Sequence, residues 1–248
     1  MIGCIVFVFG VMIGSFLNVC IYRIPNGLSI VYPPSRCGSC QKRLKARDLV
    51  PVVSYLLLGG RCRYCHSAVS LRYPLVEVLT GAVFVWCYTV LGLSALLPGA
   101  LILSFFLILI AFIDYDHQLI LDKVLLWAVG AGLLVNLCTA QHSWLDMLGG
   151  SLLGGGLLLT VALVSRGGMG GGDVKFAAAL GIWLGVQLTL LSLFLSFFLG
   201  GVSGIFLLLF RLKKRKDMIP FGPYLSAGAL LTVLYGQDII VWYFRLFW

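Results

Sequence analysis

Eight long apolar stretches, at about 2–22, 75–92, 96–113, 119–139, 146–165, 174–187, 188–210 and 223–244, run through this chain of 248 residues. A helix needs about 20 residues to cross the hydrocarbon core of a bilayer, so stretches of this kind read as membrane spans. The border between the sixth and the seventh is poorly marked. Hydrophobic residues make up 60% of the chain and charged ones only 11%. A soluble domain carries about a quarter charged residues, so a single water-soluble core is excluded. The expectation is an all-α polytopic membrane protein of about eight transmembrane helices. Residues 1–22 form the first span, 23–73 a small polar loop domain between the first two helices, and 74–248 the rest of the membrane-embedded domain. No basic segment precedes the first apolar run, so it reads as a span and not as a cleaved signal.

Charge sets the orientation. Nine of the eighteen Lys and Arg residues lie between Arg23 and Arg72, against one acid, Asp48. A second basic run, Arg211, Lys213, Lys214, Arg215 and Lys216, follows the seventh span. Counting crossings puts both on one side, together with Arg166 and Lys175. The positive-inside rule makes that side cytoplasmic. The net charge of +9 is thereby accounted for without nucleic acid. The outer end of the last span carries the aromatic run VWYFRLFW.

Of eight cysteines, Cys4, Cys20, Cys87 and Cys138 lie in or beside apolar stretches and read as small packing residues. The other four form two close pairs in the polar loop, CGSC (Cys37, Cys40) and CRYC (Cys62, Cys65). Two such pairs suit a tetrahedral zinc ion, and four thiolates leave no open coordination position, so the metal would be structural. It would close a loop whose own core is small. Two disulfides or an iron–sulfur cluster would use the same thiols. A loop on the reducing cytoplasmic side disfavours the disulfides.

The acids are few and sit near span ends. Glu77 starts the second span, Asp114, Asp116 and Asp122 lie between the third and fourth, Asp146 begins the fifth and Asp173 the sixth. Asp238 lies near the outer end of the last. A helix N-cap is the ordinary reading of Asp146 and of Asp173 taken singly. Asp114 and Asp173 together are different. Two spans separate them, so the chain returns to the same face and both acids stand at the cytoplasmic ends of spans three and six. Two facing carboxyls can share a proton, one acting as base on water while the other donates to a scissile carbonyl. The run Gly170, Gly171, Gly172 before Asp173 allows backbone conformations closed to other residues and a close approach of a peptide main chain.

These pieces closely resemble the type IV prepilin peptidases, membrane aspartic proteases of the glycine–x–glycine–aspartate class. The resemblance runs almost end to end, through GSFLNVCIYRIP, CGSC…CRYC, RYPLVEVLTG, FIDYDHQLI, GMGGGDVK and IPFGPYLSAGAL. It implies that Asp114 and Asp173 are the catalytic pair, with Asp116 the rival to Asp114. The one departure is Leu121, where the family usually has Pro. The resemblance further implies that residues 74–248 form the peptidase domain. It implies prepilin or pseudopilin substrates cut after the leader Gly at the cytoplasmic face of a bacterial inner membrane. A second activity is implied too, methylation of the new N-terminal residue, usually Phe, from S-adenosylmethionine. No residue is assigned to that cofactor. The products would serve type IV pili, secretion or competence. A protease of generic transmembrane helices lacks a reason for the four-cysteine loop. A proton-coupled transporter would want its acids at mid-bilayer.

Overall fold

A computed structural model describes residues 1–165, 168–211 and 219–247. Arg166, the basic residues Lys213, Lys214, Arg215 and Lys216, and Trp248 lie outside the described residues. The described fold is helical, with only two isolated β-bridges and no named strand. The chain divides into two compact units, Met1–Leu93 and Ser94–Trp248. The order of helices is α1 (Ile2–Arg23), α2 (Val53–Leu57), α3 (Arg72–Leu91), α4 (Leu97–His117), α5 (Asp122–Thr139), α6 (Trp144–Val164), α7 (Gly171–Leu209) and α8 (Gly222–Phe247). All but α2 are long and apolar enough to cross a membrane, seven helices in all among the described residues.

In the first unit α1 packs along α3, and glycine sets the distance. A Cβ on Gly10 would lie 2.8 Å from the Gly81 Cα, and one on Gly14 would lie 2.7 Å from the Glu77 Cα. Helices in lipid gain little from burying apolar surface against each other, so small residues that let backbones touch carry the contact. Where α1 ends, Arg23 donates to the carbonyls of Ser29 (2.8 Å) and Pro33 (2.7 Å) and folds the exit loop back. Asn18 donates to the Tyr73 carbonyl (3.0 Å), tying the start of α3 to α1.

In the second unit the seventh helix resolves the poorly marked border in the sequence. Its 39 residues would extend about 58 Å as one rod, roughly twice the bilayer core. It is not one rod. Gly185 takes φ 68°, ψ −177°, a conformation open to glycine, and there the chain turns back. The reversal shows in its neighbours: the site of Gly154 on α6 faces both Ala177, eight residues before the turn, and Thr189, four residues after it. The expected sixth and seventh spans are thus the two antiparallel limbs of α7, broken at Gly185 and not near residue 187. The eight apolar segments fall in seven helices among the described residues, one of them broken at Gly185. The second limb then runs antiparallel to α8, with Gly200 beside Tyr224 and Gly236 beside Leu188.

Asp146 holds this turn. It is not the N-cap of α6; Ser143 is, its hydroxyl accepting from the Asp146 N–H (3.2 Å). One carboxylate oxygen of Asp146 accepts from the Val186 N–H (2.9 Å) and the other meets His142 Nδ1 (2.8 Å). A free donor at the start of the second limb is satisfied in this way.

Candidate active site

Asp114 occupies the last turn of α4 and is 5% exposed, whereas Asp116, two residues on, is on the surface. The helix stops at Gln118, which adopts a left-handed conformation and returns its N–H to the Asp114 carbonyl (2.8 Å). Asp114 Oδ2 accepts a hydrogen bond from the Gly222 N–H at 2.8 Å. Gly222 opens α8, so the start of that helix closes over the end of α4.

Asp173 is the third residue of α7, one turn into the helix. It is not the N-cap as the sequence suggested; that position is Gly170, whose carbonyl accepts from the Asp173 N–H (3.1 Å). The Asp173 side chain lies close enough to Asp114 to feel its charge. Its Oδ1 is buried with no hydrogen-bond partner among the described residues. The start of α7 is seated on the linker that follows Asp114: a Cβ on Gly172 would lie 3.0 Å from the Ile120 Cβ. Beyond it Lys175 Nζ reaches both oxygens of Asp122, at 2.8 and 2.9 Å.

One role expected of the glycine run, unusual backbone dihedrals, is corrected here. Gly170 lies in extended backbone at φ −72°, ψ 143°, Gly171 and Gly172 lie inside the helix, and none of the three has a positive φ. What the chain needs at Gly172 is the absence of a side chain, not unusual dihedrals. His117 shares the last turn of α4 with Asp114 but is exposed, and Asp238 is a surface residue of α8, sixteen positions beyond Gly222.

The four loop cysteines also converge. Their sulfur atoms all lie within 4.8 Å of one another, and Cys37 and Cys65 are 3.8 Å apart. Tetrahedral zinc with Zn–S bonds of about 2.3 Å puts its ligands about 3.8 Å apart, so the donor set fits such an ion. The two pairs are built alike. Gln41 N–H bonds to the Cys37 carbonyl (2.9 Å) and His66 N–H to that of Cys62 (3.0 Å). Gln41 and His66 both adopt positive φ, and the bridges Arg36–Arg43 and Arg61–Ala68 close each knuckle. Amides of Cys40 and Ser39, with the Ser67 hydroxyl, pull the Cys37 thiol down to about 6. For Cys40 the Lys42 amide pulls down, but burial and the neighbouring thiols win and push it up to about 11. Crowded thiols that cannot all ionise together are a natural cradle for a cation.

Asp48, the acid within the basic loop, links the second knuckle to the 3₁₀ turn before α2. It accepts from Arg63 Nε (2.6 Å), the Tyr64 hydroxyl (3.1 Å) and the Lys45 N–H (3.1 Å). Burial pushes its carboxyl up, but these donors outweigh burial and hold it below the ordinary range. Of the remaining cysteines, Cys20 and Cys87 are buried as expected, while Cys4 and Cys138 face outward from their helices.

Sequence reasoning assigned no role to two residues that the structure places at key joints. Glu77, buried in α3, accepts from the Val52 N–H at 2.7 Å. Val52 has φ 60°, ψ −52°, and its neighbours close a tight γ-turn, Val53 N–H to Pro51 carbonyl at 2.5 Å. Such a turn is rare and strained, most of all for a β-branched residue. Gly222 is the second. Its only signal was a glycine between Pro220 and Pro223, where a helix begins.

Fold and site together define a polytopic helical membrane protein with two acids at helix ends in its second unit and a cluster of four thiols that could hold a metal ion in its first. Residues 8–91 match the model of the bacterial peptidase A24 N-terminal domain, and residues 101–205 match that of the type IV leader peptidase family. A prepilin leader peptidase/N-methyltransferase of Aeromonas salmonicida is 36% identical over 274 residues, covering 96% of this chain and 92% of the relative. One of Bacillus subtilis is 33% identical over 242 residues, covering 98% of each. One of Pseudomonas aeruginosa is 33% identical over 258 residues, covering 93% and 89%. No solved structure matches the chain. The chain belongs to the type IV leader peptidase family.

Proposed function

We propose that this protein is a prepilin leader peptidase that also methylates the new N-terminus, and that Asp114 and Asp173 are its catalytic pair. What supports the assignment is that two acids stand at helix ends 59 positions apart, with the start of α7 seated on the linker after Asp114, one acid nearly buried and the other with a buried, unpartnered oxygen. The substrate class comes from the relatives, each named as a peptidase of prepilin leaders.

The chemistry needs only what two carboxyls supply. One carboxylate takes a proton from water while the water oxygen attacks the carbonyl carbon of the scissile bond. The other, protonated, gives its proton to the carbonyl oxygen, forming a gem-diol. The first then returns its proton to the leaving nitrogen as the C–N bond breaks, and the second recovers one from the collapsing diol. The dyad ends as it began. Water must reach this place, and acids near helix ends and not at mid-span provide for that. The same placement argues against a proton-relay transporter.

The basic loop between Arg23 and Arg72 orients the protein with that loop in the cytoplasm of a bacterial inner membrane. Prepilins and pseudopilins would be cut there, just before their apolar helix. Cys37, Cys40, Cys62 and Cys65 would hold one structural zinc ion, which closes the loop and takes no part in proteolysis. Methylation implies S-adenosylmethionine as the donor, with no residue assigned to it.

The test is co-expression with a prepilin, scoring leader removal for Asp114→Asn, Asp116→Asn and Asp173→Asn. The first and third abolish cleavage and the second leaves it intact. Cleavage that survives Asp173→Asn would end this reading.

A further inference from the structure

We infer that Gly222 is a positioning residue for the acid pair: its N–H fixes Asp114 Oδ2, leaving Oδ1 as the oxygen that exchanges protons during catalysis. The inference rests on the reading of Asp114 and Asp173 as catalytic.

The first N–H groups of a helix have no partner within it. In α8 the second residue, Pro223, has no N–H at all, so the free donor at the very start is that of Gly222. It is given to Asp114, at 2.8 Å and in a buried setting. Tyr224 and Leu225 both return their N–H groups to the Phe221 carbonyl (3.0 Å each), which fixes the first turn and therefore the direction of the Gly222 donor. Asp114 thus meets a donor carried by backbone, not by a side chain free to rotate.

No side chain fits at this position. A Cβ on Gly222 would lie 2.6 Å from Asp114 Oδ2 and 3.0 Å from its Cβ and Cγ. The close contact involves nearly the whole carboxymethyl group, so the acid as a unit would have to move. An oxygen engaged by an N–H donor is a poor site for a proton in the same direction, which leaves Oδ1. Across the pair, Asp173 Oδ1 is the buried oxygen without a partner. The two observations together describe a dyad with one oxygen pinned and one waiting.

Two perturbations separate the donor from the space. Gly222→Ala keeps the N–H and adds a methyl group. An amide-to-ester replacement at position 222, made by incorporating glycolic acid in cell-free synthesis, exchanges the N–H for an oxygen that cannot donate and adds no side chain. Gly201→Ala, where a Cβ would meet nothing within 4 Å, is the control. Cleavage of a purified prepilin by protein in nanodiscs gives kcat and KM. A displacement of about 1 Å at a catalytic group costs on the order of 100-fold in rate. Gly222→Ala therefore lowers kcat by about 10- to 100-fold and leaves KM within about 2-fold. The ester lowers kcat in the same sense, by about 10-fold, with thermal stability near that of the parent, the size of one lost hydrogen bond to a carboxylate. The control keeps both constants.

An ester variant with the parental kcat would overturn the inference, even if Gly222→Ala failed to fold. So would a loss confined to KM. If Asp114→Asn itself still cleaves, the catalytic reading falls first. If Asp114→Asn is inactive while the ester variant is normal, only the role of Gly222 falls.

Discussion

Gly154 and Gly156 lie two residues apart on α6 and have opposite surroundings. Alanine at Gly154 would put its Cβ 2.6 Å from the Ala177 carbonyl oxygen and 3.0 Å from Thr189 Cγ2. Alanine at Gly156 would meet nothing within 4 Å. Ordinary contact begins near 3.4 Å, so Gly154→Ala must push the first limb of α7 away by about 0.8 Å. It cannot yield sideways, because the second limb is on the other side. Overpacking of this kind costs about 1–3 kcal/mol. The displaced carbonyl belongs to a residue one helical turn from Asp173, about 6 Å along the axis. A helix moves as a rod over so short a distance, so the acid moves with it. Given about 100-fold in rate for a 1 Å error, the expected loss in kcat is on the order of 10- to 100-fold. Gly156→Ala gains helix propensity worth up to about 1 kcal/mol and keeps full activity. The assay is prepilin cleavage in nanodiscs, with thermal unfolding measured on the same samples. Equal kcat for both variants, or equal stability, would refute the claim that the α6–α7 seam sets the position of Asp173.

Other outcomes follow from the same geometry. Changing any one of Cys37, Cys40, Cys62 or Cys65 to Ser lowers bound zinc, measured by atomic emission on purified protein, and renders the loop sensitive to proteolysis; full occupancy in a double variant would contradict the site. Glu77→Ala leaves the Val52 N–H without its acceptor and lowers stability by about 1–3 kcal/mol, whereas Glu77→Gln, which keeps an acceptor, loses less than half as much in the same denaturation assay. The Asp122–Lys175 pair is well exposed on both sides, so Asp122→Asn changes stability by no more than about 1 kcal/mol, and the difference shrinks as salt is raised.

Much of this arrangement was legible in the chain. Apolar length alone gave the spans, because the bilayer fixes how long a helix must be. The cysteine spacing gave the four-thiol site, because two close pairs are needed for a tetrahedron. Parity of crossings pointed to Asp114 and Asp173 on one face, but it left Asp116 a rival to Asp114, and the burial of the one and exposure of the other are set by packing that the sequence does not display. The parts that escaped depend on partners distant in sequence. The turn at Gly185 is held by Asp146, some forty residues earlier, and nothing local distinguishes that glycine from its many neighbours. Gly222 matters through a backbone N–H, which no side-chain pattern reveals. The strain at Val52 is stabilised by an acid on another helix. The glycines before Asp173 suggested freedom of dihedral angle, but none of the three has a positive φ, and Gly172 alone is seated closely on another element, at Ile120.

Catalysis by this pair requires Asp114 and Asp173 to meet. Their meeting is tested most directly by Asp114→Cys with Asp173→Cys, in a background lacking Cys4, Cys20, Cys87 and Cys138, with the loop thiols protected by zinc. Dibromobimane fluoresces only when it bridges two nearby thiols. Bright labelling of this pair is expected, traced by mass spectrometry to the two peptides, and none when Asp146→Cys replaces Asp114→Cys. A dark 114–173 pair in folded, zinc-loaded protein would contradict it.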